Sequence, residues 1–129
     1  MEEKEKFFRK MNELYEFTEK ELESCPWIKD LSVEKIVEEV KKELEEVEGE
    51  IKKKNEKDLA KETGDVFRDV FLLLFIVSRK TGTQKDKILS YVLKKVRWRK
   101  PWIEKGGKVS KKEAVKIWHE KKEKENIEL

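Results

Sequence analysis

Two consecutive stretches decide the fold: SVEKIVEEVKKELEEVEGEIKKK at residues 32–54 and DLAKETGDVFRDVFLLLFIVSRK at residues 58–80. In the first, Val37, Val40, Leu44, Val47 and Ile51 recur every three or four residues, the spacing of one face of an α-helix. Ser32 stands where a helix N-cap belongs. Asn55 to Asp58 reads as a turn, with Asp58 capping a second long helix that runs to about Lys80, where Thr81-Gly82 supplies a glycine just past the end. From Val66 to Val77 this helix is apolar nearly all round, which calls for cover by neighbours or by a second subunit. Its first half nevertheless carries Glu62, Asp65, Arg68 and Asp69, and charge in so apolar a helix must be compensated.

Outward from this pair the chain stays helical. Residues 3–22 place Phe7, Phe8, Met11, Leu14, Tyr15 and Leu22 on one stripe, which predicts a helix packed on the core. Pro26 ends it, since proline lacks the backbone donor and disfavours helical geometry at the residue before it. Thr83 is placed to cap a further helix reaching about Arg99, with Ile88, Leu89, Val92 and Val96 turned inward and Pro101 as its stop. Gly106-Gly107 marks a loop. Ser110-Lys111-Lys112-Glu113 has the form of a capping box and opens a last helix through Trp118. The expected architecture is therefore all-α: one domain over residues 1–129, a bundle of about five helices around a central antiparallel pair, with 123–129 a frayed tail.

The composition supports this class. Of 129 residues, 47% are Asp, Glu, Lys or Arg and 36% are hydrophobic, so the core must be confined to a few segments. Glycine (five) and proline (two) are scarce, and Gly82, Gly106, Gly107, Pro26 and Pro101 fall where helices must stop. The 32 basic residues exceed the 29 acidic ones by only three, and the signs are interleaved, so nucleic acid is not implied by charge. One cysteine and one histidine are too few for a disulfide framework or a zinc site and suit a reducing, cytoplasmic setting. The longest apolar run, Val70 to Val77, is too short to span a membrane. Lys and Glu enrichment of this degree is also a mark of proteins from hot environments.

The acids carry the chemical signal. Glu39, Glu43, Glu46 and Glu50 each precede an apolar seam residue and so border the core. Glu43 and Glu46 lie three apart on one helix, as do Glu62 and Asp65 on the next, so two carboxylate pairs can face each other. Left bare, such a cluster repels itself and raises its own pKa values. A divalent cation with a preference for oxygen, Mg²⁺ or alternatively Mn²⁺, relieves the conflict. Gly64, costly inside a helix, lies between Glu62 and Asp65, where a missing side chain would permit close approach.

The segment Lys42-Glu43-Leu44-Glu45-Glu46, followed after fifteen residues by Glu62-Thr63-Gly64-Asp65, resembles the paired-Glu and Glu-x-x-Asp motif of the MazG family of all-α nucleotide pyrophosphohydrolases. Cys25-Pro26-Trp27 is similar to the family's entry motif, Lys95 to Pro101 to its basic run ending in proline, and Trp118 to Lys122 to its closing Trp with Lys four later. The resemblance spans about residues 22–122. It implies a Mg²⁺-dependent hydrolase that splits a nucleoside triphosphate into monophosphate and pyrophosphate. Glu43, Glu46, Glu62 and Asp65 fall on the family's metal-binding catalytic carboxylates. Lys95 and Arg99 fall on its phosphate-contacting pair, and Trp118 and Lys122 on residues near the nucleotide. The family pattern has Glu where this chain has Lys42, Asp where it has Ile28, and His where it has Lys100 and Trp102.

The over-apolar second long helix suggests a homodimer or tetramer. An alternative of another class is a non-catalytic helical module that binds nucleotide or a protein partner, its acids serving only solubility. Nucleic-acid binding would rest on the local run Lys94 to Lys108 with Trp98 and Trp102 interleaved, and would show a steep salt dependence.

Overall fold

The structure, a computed structural model, describes residues 2–129. Seven helices and no strand are found among the described residues: α1 (Glu2–Ser24), α2 (Pro26–Lys29), α3 (Val33–Lys53), α4 (Glu56–Thr81), α5 (Lys85–Arg99), α6 (Trp102–Lys105) and α7 (Lys111–Glu123). The count exceeds the expected five because the prolines do not simply stop helices. Pro26 opens α2 with its ring at a position where no backbone donor is needed, and Pro101 caps α6, each a four-residue helix. The chain forms two compact units, one ending at Thr81 and the other running from Gly82 to Leu129.

In the first unit α3 and α4 form a tight hairpin and make the most extensive helix–helix packing of the chain. Ser32 caps α3 by accepting a 3.1 Å hydrogen bond from the Lys35 N–H. Its other end closes on Lys54, whose backbone is left-handed at φ 58° while its N–H donates to the carbonyls of Glu50 and Ile51. The cap of α4 is Asn55, not Asp58. Asn55 Oδ1 accepts from the Asp58 N–H at 3.1 Å, and Asn55 Nδ2 donates to the Asp58 carboxylate at 2.8 Å. An amide supplies both acceptor and donor from the earlier position, so the helix gains its first turn there. Gly82, at φ 73°, lies just past the end of α4.

The core of this unit is Ile28, Ile36, Leu72 and Ile76, with Leu22, Cys25, Leu31, Val33 and Leu73 packed around it. Ile36 and Leu72 are each 1% exposed. Ile36, early in α3, thus meets residues late in α4, as an antiparallel pair requires. Of the expected α3 seam, Val37, Val40 and Val47 are half-buried, but Leu44 is 45% and Ile51 57% exposed. Ile36, Val40, Glu43, Val47 and Glu50 instead form the buried and half-buried three-and-four series. Two carboxylates therefore occupy seam positions. On α1, Tyr15 reaches the rings of Phe71 and Phe75, with centroids 6.4 and 4.8 Å away, and Thr18 is buried. Phe7 and Phe8, expected on the core, are exposed, because α1 touches the core only through its later turns.

In the second unit α5 packs on α7. Trp98 Nε1 donates to the Lys121 carbonyl at 2.9 Å, and the Arg99 guanidinium lies 4.6 Å from the Trp118 ring centroid. Orienting α5 by these residues turns Leu89, Val92 and Val96 to solvent rather than inward. Gln84, not Thr83, is the N-cap of α5, and its side chain makes no capping bond. Ser110 caps α7 as expected, accepting from the Glu113 N–H at 3.1 Å. Beyond α7 the chain is held by Glu125, which pairs with Arg99, where fraying was expected.

Candidate metal centre

The α3–α4 hairpin brings side chains of both helices to one place. Carboxylate oxygens of Glu43, Glu62 and Asp65 all lie within 4.8 Å of one another. Glu43 and Glu62 are half-buried and Asp65 is exposed, so the group sits at the rim of the packed seam, open on one side. Glu46, also exposed, lies close enough to Glu62 to act on its carboxyl. The Glu46 carboxyl first, then burial and the charges of Asp65 and Glu43, push the Glu62 carboxyl up to about 7. Glu43 is raised as well, first by burial and then by the charges of Glu46, Asp65 and Asp69.

Two further observations bear on what the cluster would hold. Glu43 Oε2 and Glu62 Oε2 are buried without a hydrogen-bond partner, an arrangement that native structures avoid unless a further group completes it. The donors are all carboxylate oxygens, with neither nitrogen nor sulfur among them. Hard oxygen donors fit Mg²⁺ or Mn²⁺ and not a thiolate- or imidazole-seeking metal. The residues present therefore fit a divalent cation, which would replace the Glu62 proton and satisfy the orphaned oxygens.

The surroundings fix this geometry. Asp69, one turn beyond Asp65, is buried and accepts from Arg68 Nη1 at 3.2 Å, while Arg68 Nη2 donates to Glu21 of α1 at 2.6 Å. Arg68 thereby ties α1 to the acidic stretch of α4 and neutralises Asp69, a role the sequence did not disclose because Glu21 lies 47 residues away. Glu50, a turn beyond Glu46, keeps one oxygen buried and unpartnered and turns the other towards Lys53 at 3.7 Å. Lys42 points elsewhere: its ammonium lies 3.5 Å from Glu39 and its side chain is largely exposed. The cluster assembles without it. Gly64 does not serve close packing within this chain, since a Cβ built there would meet nothing within 4 Å.

The other expected site residues, Lys95, Arg99, Trp118 and Lys122, all belong to the second unit. Arg99 is buried, and its Nε and Nη2 donate to Glu125 at 2.8 and 3.0 Å. Trp118 is half-buried under Arg99 and Lys100, whose ammonium lies 5.5 Å from the ring centroid. Lys95 is half-buried with its ammonium 5.7 Å from the Tyr91 ring centroid, and Lys122 is exposed. Glu125 was not foreseen. The basic run Lys94 to Lys108, weighed for nucleic acid, spends part of its charge internally, Arg97 pairing with Glu104 and Arg99 with Glu125.

Comparison with known proteins agrees with this architecture. Residues 31–104 match the model of the MazG nucleotide pyrophosphohydrolase domain. A crystal structure of a MazG-related protein from Thermotoga maritima is similar at a TM-score of 0.82 and 35% identity, over 87% of this chain and 98% of that one. No curated protein sequence matches.

Proposed function

Because the chain belongs to the MazG family of nucleotide pyrophosphohydrolases, we propose that it hydrolyses a nucleoside triphosphate to monophosphate and pyrophosphate at the α3–α4 carboxylates. The observation that carries this is the convergence of Glu43, Glu62 and Asp65 from two helices to within 4.8 Å, with orphaned oxygens on both glutamates. Glu43, Glu46, Glu62 and Asp65 would hold Mg²⁺ or Mn²⁺. When bound, the cation supplies charge neutralisation for the triphosphate and acidifies water. Water adds to the α-phosphorus as the bond from that phosphorus to the bridging oxygen breaks, and pyrophosphate leaves. Glu46, exposed beside the cluster, would accept the water's proton. Lys95, Arg99, Trp118 and Lys122 are the substrate-binding groups: the cations offset phosphate charge and the indole stacks on the base without choosing which base.

The protein is proposed to act as a homodimer or tetramer. Phe67 and Val70 of α4 and Leu89, Val92, Leu93 and Val96 of α5 remain exposed in a single chain and support that assembly. No described helix is long and apolar enough to cross a membrane. A reducing cytoplasm suits the single free cysteine, and a hot habitat suits the Lys- and Glu-rich surface.

Product analysis over a panel of ribo- and deoxynucleoside triphosphates, with and without Mg²⁺, tests the proposal. Monophosphate and pyrophosphate should appear, and should be lost without metal and in Asp65→Asn. Silence across the panel, with no thermal shift from nucleotide or Mg²⁺, would leave a non-catalytic helical module. Sedimentation velocity decides the assembly state.

A further inference from the structure

The second unit holds a group the proposed activity does not use. Just past the end of α7 the chain turns back, the Glu125 N–H lying 3.4 Å from the Lys122 carbonyl. Glu125 then presents both carboxylate oxygens to Arg99 in a forked pair, Oε2 to Nε at 2.8 Å and Oε1 to Nη2 at 3.0 Å. The Arg99 side chain is 7% and that of Glu125 14% exposed, so the guanidinium is covered by its partner and by Trp118. Lys95 and Lys122 also act on this carboxylate, which is held below its ordinary range by the Arg99 hydrogen bond first and by these charges after it. Glu125 is therefore paired directly with one of the three cations assigned to substrate phosphate, Arg99, and feels the charge of the other two.

A carboxylate and a phosphate offer a guanidinium the same pair of oxygens. Glu125 pairs with Arg99 and not with Lys95 or Lys122, which leaves the charges of both lysines to a second anion while the guanidinium is occupied. The carboxylate is borne by residues 125–129, outside any helix, with Asn126, Glu128 and Leu129 exposed and Glu125 and Ile127 half-buried. Displacing the carboxylate therefore requires no helix to unwind.

We propose that Glu125 is a built-in competitor for phosphate: its carboxylate occupies the Lys95–Arg99–Lys122 site, and pyrophosphate or the phosphates of a nucleotide bind by displacing it. This rests on the assignment of those cations as phosphate ligands. The tail then sets apparent affinity. If the displaced form is about one tenth of the population, the apparent Kd is raised about tenfold over that of the open site.

Titration calorimetry with inorganic pyrophosphate in metal-free buffer tests this on the full chain. Glu125→Gln should bind pyrophosphate about tenfold more tightly than the unsubstituted protein, as the tax of displacement is removed. Glu125→Asp, which keeps the charge but shortens the reach of the fork, should fall between the two. Adding Lys95→Gln and Lys122→Gln to Glu125→Gln should abolish the gain. Equal or weaker binding in both single variants, with helicity retained by circular dichroism, would overturn the proposal. So would a gain that survives loss of the two lysines. The outcome is separable from the hydrolase assignment: absent triphosphate turnover alongside tighter pyrophosphate binding sinks only the activity, whereas turnover without that gain sinks only the competitor.

Discussion

The raised pKa of Glu62 makes metal binding and protonation two sides of one equilibrium, and this can be counted. A cation cannot sit on Glu43, Glu62 and Asp65 while Glu62 keeps its proton, so binding must release it. With Glu62 titrating at about 7, the protons released per Mn²⁺ bound should be about 0.9 at pH 6, about 0.5 at pH 7 and about 0.1 at pH 8. Glu43, also raised, adds to the count at lower pH. Apparent Mn²⁺ affinity should correspondingly fall about tenfold for each pH unit below about 7. Calorimetric titration in buffers of different ionisation enthalpy reads the proton number directly. The linkage to stability has a definite sign. Glu62 is raised from its ordinary 4.5, so its contribution to the metal-free protein is fully present below 4.5 and is lost as pH rises through about 7. Saturating Mn²⁺ should restore the melting temperature at pH 8 and do less at pH 5. A proton count that is the same at pH 6 and pH 8, or one unchanged in Glu62→Gln, would refute the reasoning.

Gly64→Ala should stabilise the protein by about 0.5–1 kcal/mol, because the added Cβ meets nothing and the unfolded chain loses freedom. A fall in urea midpoint would show that a second copy covers the site, and a selective rise in KM that substrate does. Leu72→Ala, at the buried crossing of α3 and α4, should cost about 2–5 kcal/mol in the same assay. Asn55→Ala should cost about 1 kcal/mol through loss of the α4 cap. Asp58→Ala should cost less than Asn55→Ala, and the reverse order would restore Asp58 as the cap.

What could be read beforehand was whatever a few neighbouring residues decide. Ser32 and Ser110 cap where expected because the acceptor, the receiving N–H and the extended backbone lie within four residues. Gly82 follows α4 for the same reason. Asn55 was passed over for Asp58 although both are capping residues, and only the reciprocal bonds between them settle which comes first. The pairings of Arg68 with Glu21 and Arg99 with Glu125 span 47 and 26 residues and leave no local trace. The seam of α3 is the more instructive case. A periodic pattern assigns the core to apolar residues, and so puts Leu44 and Ile51 inside and Glu43 and Glu50 at the border. In the structure the series Ile36, Val40, Glu43, Val47 and Glu50 faces α4, apolar where it meets Leu72 and Ile76 and acidic where it meets Glu62. One antiparallel helix pair thus carries its core at one end and its carboxylates at the other. Local hydropathy and tertiary position conflict only where the acids enter the seam, and such a conflict persists in a folded protein when a ligand or a function compensates its cost. Glu43 is where the two meet: a seam position that hydropathy assigns to the border is also a member of the candidate site.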